Sequence, residues 1–330
     1  MEKMDKGTML LGTEEAKVLS QPTVSRPFWG GRTPRYICQM FMAKDACIEI
    51  EGGVYRVNQV AEPFLELGQT VQKSPEALPF GNLKPKASHN EGEVIDVSFA
   101  KYKSDPLELK LIPIQSVVKV HTRIPDLYSN KHDQLLHQLQ LSAETIYETK
   151  ENLIYNHPVF GLLNQVKDKL RIKTEAKPTP NLLDQMLTKL WKMPDAFFMH
   201  MDTLQALQAE CNKLGIALET KEMFGSSFSC WRGLPLFPTN KLHLLGTGKT
   251  DDETGREKLK TSICLVRFGE KKQGCISLFP KEKKGSEALP LIDCEFMGID
   301  NNSVASYLLT TYTAIAVLTP GALCVSDVVI

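Results

Sequence analysis

Residues 107–121, LELKLIPIQSVVKVH, run through 122–134, TRIPDLYSNKHDQ, into 135–153, LLHQLQLSAETIYETKENL. The first stretch reads as strand, because apolar and polar side chains alternate along an extended backbone with a period of two. Across 129–131 the period changes. Ser129 or Asn130 can cap a helix, Asp133 falls in the first turn where the helix dipole favours an acid, and Leu135, Leu139, Ala143, Ile146 and Leu153 lie on one face. The reading is a long strand feeding a long amphipathic helix from about 131 to 153.

Upstream, GVYRVNQV at 53–60 alternates like a strand, whereas 61–93 is rich in Pro, Gly, Ser, Asn and charge. Residues 53–121 therefore read as two extended limbs joined by a loose tip. So long an irregular excursion implies a role outside the compact subunit. Residues 1–50 carry Pro22, Pro27, Pro34 and Gly30-Gly31 with no sustained period, yet they hold Phe28, Trp29, Tyr36, Ile37, Met40, Phe41 and Met42. That is too much apolar surface for a free tail. The segment is expected to be an arm that docks on a neighbour through Phe28, Trp29, Tyr36 and Phe41.

Downstream, Thr179-Pro180 signals a second helix, with Leu183, Leu187, Leu190 and Trp191 on its stripe. A third is expected from the cap Asp202 through Leu204, Leu207, Cys211 and Leu214 to Gly215. Strands are predicted at 227–231, 261–268, 274–279 and 305–317, with 246–260 as a charged loop.

Composition narrows the function. The 330 residues are 42% hydrophobic, enough for a sizeable core. Lys plus Arg and Asp plus Glu stand at 39 each, so there is no net positive field to hold nucleic acid or an anionic membrane. Eight cysteines without a CxxC pair read as reduced thiols of a cytoplasmic protein. The first twenty residues lack a signal-peptide apolar run, and nowhere is there an uncharged apolar stretch of about 18 residues, so no membrane span is expected.

No catalytic, cofactor or metal site emerges. GTGKT at 246–250 resembles the end of a phosphate loop, but His243 stands where the first glycine is required. His132 and His137 are five apart and point about 140 degrees away from each other on a helix, the wrong spacing for a zinc pair. GSSF at 225–228 is not a nucleophile elbow, and no pair of acids is singled out for acid–base work. The chain is read as a non-enzyme.

Five strings then carry a family resemblance: 53–60 GVYRVNQV, 117–134 VVKVHTRIPDLYSNKHDQ, 160–164 FGLLN, 224–241 FGSSFSCWRGLPLFPTNK and 265–274 LVRFGEKKQG. Together they resemble the family 2 encapsulin shell proteins, of the subtype A that lacks a cyclic-nucleotide-binding domain and was formerly described as major membrane protein I. The resemblance runs in order from about residue 50 to 330. It implies an α+β fold of the tailed-bacteriophage major-capsid type, with an N-terminal arm (1–50), an extended loop (51–110), a peripheral domain with a spine helix (111–195), an axial domain (196–295) and C-terminal strands returning to the peripheral domain (296–330). It further implies a homo-oligomer of sixty subunits in a T = 1 icosahedral shell, an encapsulated cargo enzyme, most often a cysteine desulfurase linked to sulfur metabolism, and no nucleotide regulation. By the same resemblance Gly215, Ile216, Ala217, Leu218, Glu219, Thr220 and Glu222 would line a five-fold pore. Glu219 and Glu222 would make its negative mouth, and Ile216 and Leu218 an apolar constriction. A viral or prophage major capsid protein is the alternative reading of the same fold.

Overall fold

The computed structural model describes residues 35–51, 53–57, 92, 94, 107–120, 134–190, 193–250, 257–280, 292–301 and 304–330. They fall into two compact units. Phe28, Trp29, Trp191, the expected cap at Ser129 or Asn130, His132 and the tip at 61–91 lie outside the described residues.

The larger unit comprises 35–113, 149–281 and 312–330. At its centre is an eight-stranded sheet: β5 (Arg171–Lys173), β15 (Leu323–Val329), β11 (Glu257–Val266), β6 (Ala196–Met199), β9 (Leu234–Pro238), β8 (Ser226–Trp231) and β7 (Glu219–Met223) in that spatial order, with β10 (Leu245–Thr250) also on β11. Alternation along these strands feeds two cores, one on each face. Phe197, Met199, Ile263, Leu265, Cys324 and Val328 meet Leu183 and Met186 of helix α4 (Pro180–Lys189) and Leu204, Leu207 and Cys211 of helix α5 (Met201–Lys213). The intervening Ala196, Phe198, Cys264, Val266, Leu323 and Val325 join the opposite core. Thr179 caps α4 as expected, its hydroxyl accepting from Leu182 N at 3.3 Å.

The opposite core is closed by a helix that the sequence reading placed in the docking arm. Helix α1 (Tyr36–Ala43) puts Tyr36, Ile37, Met40 and Phe41 on one face, and all four are buried. Tyr36 meets Phe228 edge-on at 4.8 Å and stacks on Phe237 at 5.2 Å, while Phe41 meets Phe268 at 4.9 Å. The expectation that Tyr36 and Phe41 are inter-subunit contacts is therefore corrected: their own chain already covers them. The turn after α1 is tied down by Asp195, whose Oδ1 lies 3.0 Å from both Lys44 Nζ and Lys272 Nζ and whose Oδ2 accepts from Phe268 N. Beyond that turn β1 (Cys47–Ile50) pairs in parallel with β12 (Cys275–Pro280), which pairs antiparallel with the C-terminal part of β14 (Ala305–Val317). The two limbs meet at their base as the ribbon β2 (Val54–Val57) and β3 (Leu107–Lys110).

The smaller unit contains described parts of 114–148 and 282–311. Helix α2 (Gln134–Asn156) begins here, with Leu139, Ala143 and Ile146 buried at the predicted spacing. Strand β13 (Asp293–Ile299) pairs antiparallel with the N-terminal part of β14, which also carries β4 (Ile112–Val120). Gln115 Nε2 donates to Thr310 Oγ1 at 3.3 Å across that second pairing.

Three sequence expectations change. The described parts of 246–260 are not loop: 245–250 and 257–260 are strand, and Thr247 Oγ1 and Gly248 N bond to Lys258 O and Glu257 Oε1. Helix α5 is capped by His200, whose Nδ1 accepts from Asp202 N at 3.2 Å, not by Asp202. The predicted division between 196–295 and 296–330 cuts through a sheet, since β15 pairs with β11 from Lys260↔Val329 to Val266↔Leu323.

After α2, His157 Nδ1 accepts from Val159 N and Phe160 N, and its ring stacks on Phe160 at 3.9 Å. Burial lowers the His157 pKa, which favours the neutral acceptor form. A Cβ on Gly161 would collide with the backbone N and O of His157. Backbone cannot swing away as a side chain can, so Gly161→Ala should destabilise the subunit by about 3 kcal/mol. Thermal unfolding checks this, and an unchanged midpoint would show that the turn is more pliant than its contacts imply.

Candidate functional site

The residues expected to line a pore follow α5, and local rules fix their course. Gly215 has φ +68 and ends the helix: Gly215 N bonds to Asn212 O and Ile216 N to Cys211 O. This is the paired bonding of a Schellman cap, which favours a residue without Cβ at that position and an apolar contact across it. Ile216 supplies the contact, packing with Leu218 against the core that contains Cys211.

From Glu219 the chain is β7, antiparallel to β8 in the register Glu219↔Cys230, Lys221↔Phe228 and Glu222↔Ser227. Phe224 and Gly225, both with positive φ, make the two-residue turn, and Arg232 and Gly233 repeat that geometry between β8 and β9. The hairpin is anchored to both helices of one face. Gln208 Nε2 of α5 donates to Ser229 Oγ at 3.1 Å. Asp184 of α4 accepts from Trp231 Nε1 at 2.8 Å and from Arg232 Nη2 at 3.1 Å. The Arg232 hydrogen bond, helped by Trp231 and opposed by burial, holds the Asp184 carboxyl below its usual range.

The structure thus brings Gly215 through Glu222 together as a cap and an edge strand, with two changes to the expected roles. Ile216 and Leu218 are half-buried against their own core, so only part of each side chain is left to face an opening. Glu219 and Glu222 differ by an odd number of residues on one strand and so face opposite sides of the hairpin. Ala217, Glu219, Thr220 and Glu222 are exposed. Glu222 shares its face with Ser227 and Ser229, Glu219 with Phe228 and Cys230.

Elsewhere the described residues hold no group of three or more His, Cys, Asp or Glu placed to bind a metal. Burial pushes the Cys275 and Cys324 thiols up to about 12 and raises Cys264 as well, so these sulfurs stay protonated near neutral pH and are poor nucleophiles. GTGKT is part of β10, with its backbone committed to β11, so it does not form a phosphate loop. Among the described residues no helix is long and apolar enough to cross a membrane.

What remains is a fold with exposed edges and, among the described residues, no group placed to hold a metal, and relatives decide its meaning. A family model described as the SrpI-like type 2A encapsulin shell protein matches residues 71–330. The type 2A encapsulin shell protein of Mycolicibacterium paratuberculosis is 35% identical over 318 residues, covering 96% of this chain and 93% of that relative. The chain belongs to the type 2A encapsulin shell protein family. The holo-SrpI encapsulin complex from Synechococcus elongatus PCC 7942, solved by cryo-EM, matches with a TM-score of 0.72 and 33% identity over 97% of this chain and 96% of that one. The capsid of Ralstonia phage GP4 matches over 97% of this chain and 98% of its own with a TM-score of 0.57 at 8% identity, a likeness of fold alone. The α+β, phage-capsid-type fold and the membership of a non-enzymatic shell family are therefore established for this encapsulin. The encapsulin assignment also decides between the two shell readings, because identity at the family level is to encapsulins and only fold-level likeness is to phage capsids.

Sequence reading missed α1 as a core helix, although Tyr36, Ile37, Met40 and Phe41 sit at helical spacing. It also missed β13, whose signal was the short run Phe296, Met297 and Ile299 beside a glycine.

Proposed function

We propose that this encapsulin subunit closes, as sixty copies with T = 1 icosahedral symmetry, into a cytoplasmic compartment around a cargo enzyme, a cysteine desulfurase serving sulfur metabolism or storage. The observation that supports an enclosing role is the membership of a shell-protein family. The cargo reading rests on the resemblance of the sequence strings to this encapsulin subtype. In this reading the extended loop at 51–110 and the arm up to residue 34, with Phe28 and Trp29, reach neighbouring subunits. Negative-stain microscopy of purified protein, with mass spectrometry of co-purifying proteins, tests it. Uniform shells carrying a desulfurase are expected. Shells filled with nucleic acid would favour a capsid, and particles of another uniform size would remove the sixty-subunit count.

The turn and edge strand from Gly215 to Glu222 are proposed to surround the five-fold axis, where ring symmetry would bring each exposed side chain near its copies. Since only one of Glu219 and Glu222 can share a hairpin face with a given opening, the two should not be equivalent. One of the single variants Glu219→Gln and Glu222→Gln is expected to change entry of a small charged substrate to the encapsulated enzyme severalfold, and the other to leave it unaltered. Equal entry rates in wild type and both variants would remove the pore assignment.

A further inference from the structure

The sheet edges of this chain are not treated alike. An open edge presents unpaired backbone N–H and C=O groups, and soluble proteins blunt it with charged residues, proline or a covering element. In the larger unit both ends of the eight-stranded sheet follow that rule: β5 carries Arg171 and Lys173, and β7 carries Glu219, Lys221 and Glu222. Strand β13, one of the two end strands of the other sheet among the described residues, follows it only in its first half, which carries Asp293 and Glu295. It has no Lys, Arg or Pro from 293 to 299, and its second half presents Phe296, Met297 and Ile299 at 57%, 58% and 67% exposure. Strict alternation would turn one of Phe296 and Met297 inward. The register shift between Phe296 and Gly298, with φ +125 at Gly298, lets both stay in the open. In the same unit Val117 of β4 adds another exposed apolar side chain at 56%.

Such a strand is an aggregation template unless pairing is its purpose. We infer that β13 is an interface strand whose occupant is a second copy of this chain, which covers Phe296, Met297 and Ile299 and satisfies the open backbone edge. This rests on the shell reading, which supplies the occupant: in a closed homo-oligomer the same strand meets the same counterpart in every copy, so an apolar edge is used up and cannot propagate into fibres. The two charged edges of the larger unit, by contrast, resist direct strand addition.

The test uses the full chain in three forms: wild type, a Phe296→Asp plus Ile299→Asp double variant, and Met297→Lys. All three positions are exposed, so each variant should unfold within a few degrees of unassembled wild type. Particle size by light scattering should show shells for wild type and predominantly free subunits for the double variant, with Met297→Lys intermediate. Amide hydrogen exchange at 293–299 should be more than about tenfold slower in assembled wild type than in the free double variant. Normal shells from every variant, with fast exchange at 293–299 in wild type, would overturn the interface and leave the shell reading intact. A protected β13 in a small oligomer would uphold the interface and overturn the shell. A wild-type monomer with fast exchange there would overturn both.

Discussion

A subunit lacking residues 1–45 is expected to be recovered only as unfolded, aggregated protein, whereas one lacking residues 1–34 is expected to fold. The boundary follows from α1. Residues 36–41 place Tyr36, Ile37, Met40 and Phe41 in the core, at 9%, 0%, 0% and 1% exposure. Burying side chains of this size is worth about 1.5–3 kcal/mol each. Losing four approaches the whole net stability of a domain, about 5–15 kcal/mol. It would also take one aromatic partner from each of Phe228, Phe237 and Phe268 and remove Lys44 from Asp195. The sequence alone reads 1–50 as a docking arm, which implies that cutting at residue 45 spares the fold and impairs assembly. The structure moves the cut to residue 34. Far-UV circular dichroism and thermal unfolding of the two deletions decide the matter. A cooperatively folding protein lacking 1–45 would mean that α1 is dispensable and the core tolerates the void.

Arg171→Ala should cost about 3 kcal/mol at neutral pH, the low end for a buried pair because Arg171 is itself 27% exposed, since the buried Asp327 carboxylate loses its charged partner. Arg171 Nε and Nη2 donate to the two carboxylate oxygens of Asp327, each at 3.0 Å, and Ser262 Oγ donates to Oδ1 at 2.8 Å. Asp327 is 3% exposed. Burial pushes its carboxyl up, but the bonds from Arg171 and Ser262 outweigh burial and leave the pKa below the usual value. A carboxyl whose folded pKa is depressed stabilises the fold above its unfolded pKa of about 3.9, and that contribution fades as pH falls through the lower folded value. The gap between wild type and variant should thus be widest near neutrality and narrow below about pH 4. In the variant only the Ser262 bond and the Lys260 charge still oppose burial at Asp327, so its carboxyl pKa should rise relative to wild type and the variant should lose less stability on acidification. Urea midpoints across pH measure both curves. A variant matching wild type at pH 7 would show that solvent takes over the role of Arg171.

The two helices with explicit punctuation were legible in the sequence, and so was the long strand. Thr179-Pro180 opens α4 and Gly215 closes α5, because capping uses short-range bonds that a few residues specify. The 305–317 strand was read to the residue from its content of Tyr, Thr, Ile and Val without charge, Gly or Pro. What failed was long-range. Nothing near 36–41 says that Phe228, Phe237 and Phe268 will be its partners, so its apolar surface looked available to a neighbour. GTGKT looked like a loop because its glycines weaken strand preference, yet Glu257 and Lys258 supply the partners that hold it extended. For the candidate pore, the sequence placed the turn but not the face of each side chain, since the parity of β7 is set by its pairing with β8.

The position of β15 also has a temporal side. The last strand of the sequence lies inside the large sheet, between β5 and β11, which are translated earlier. When Val266 has left the ribosome, 63 residues separate it from Val329 (329 minus 266). At about 5–20 residues per second that is roughly 3–13 s in which one side of β11 lacks its neighbour. Nascent subunits on one polysome are held close together during that wait, when an open, apolar β11 is most vulnerable to the wrong chain. Closure of the sheet after β11 has waited gives each copy a checkpoint: the large sheet attains its assembly-competent shape only once β15 has been made.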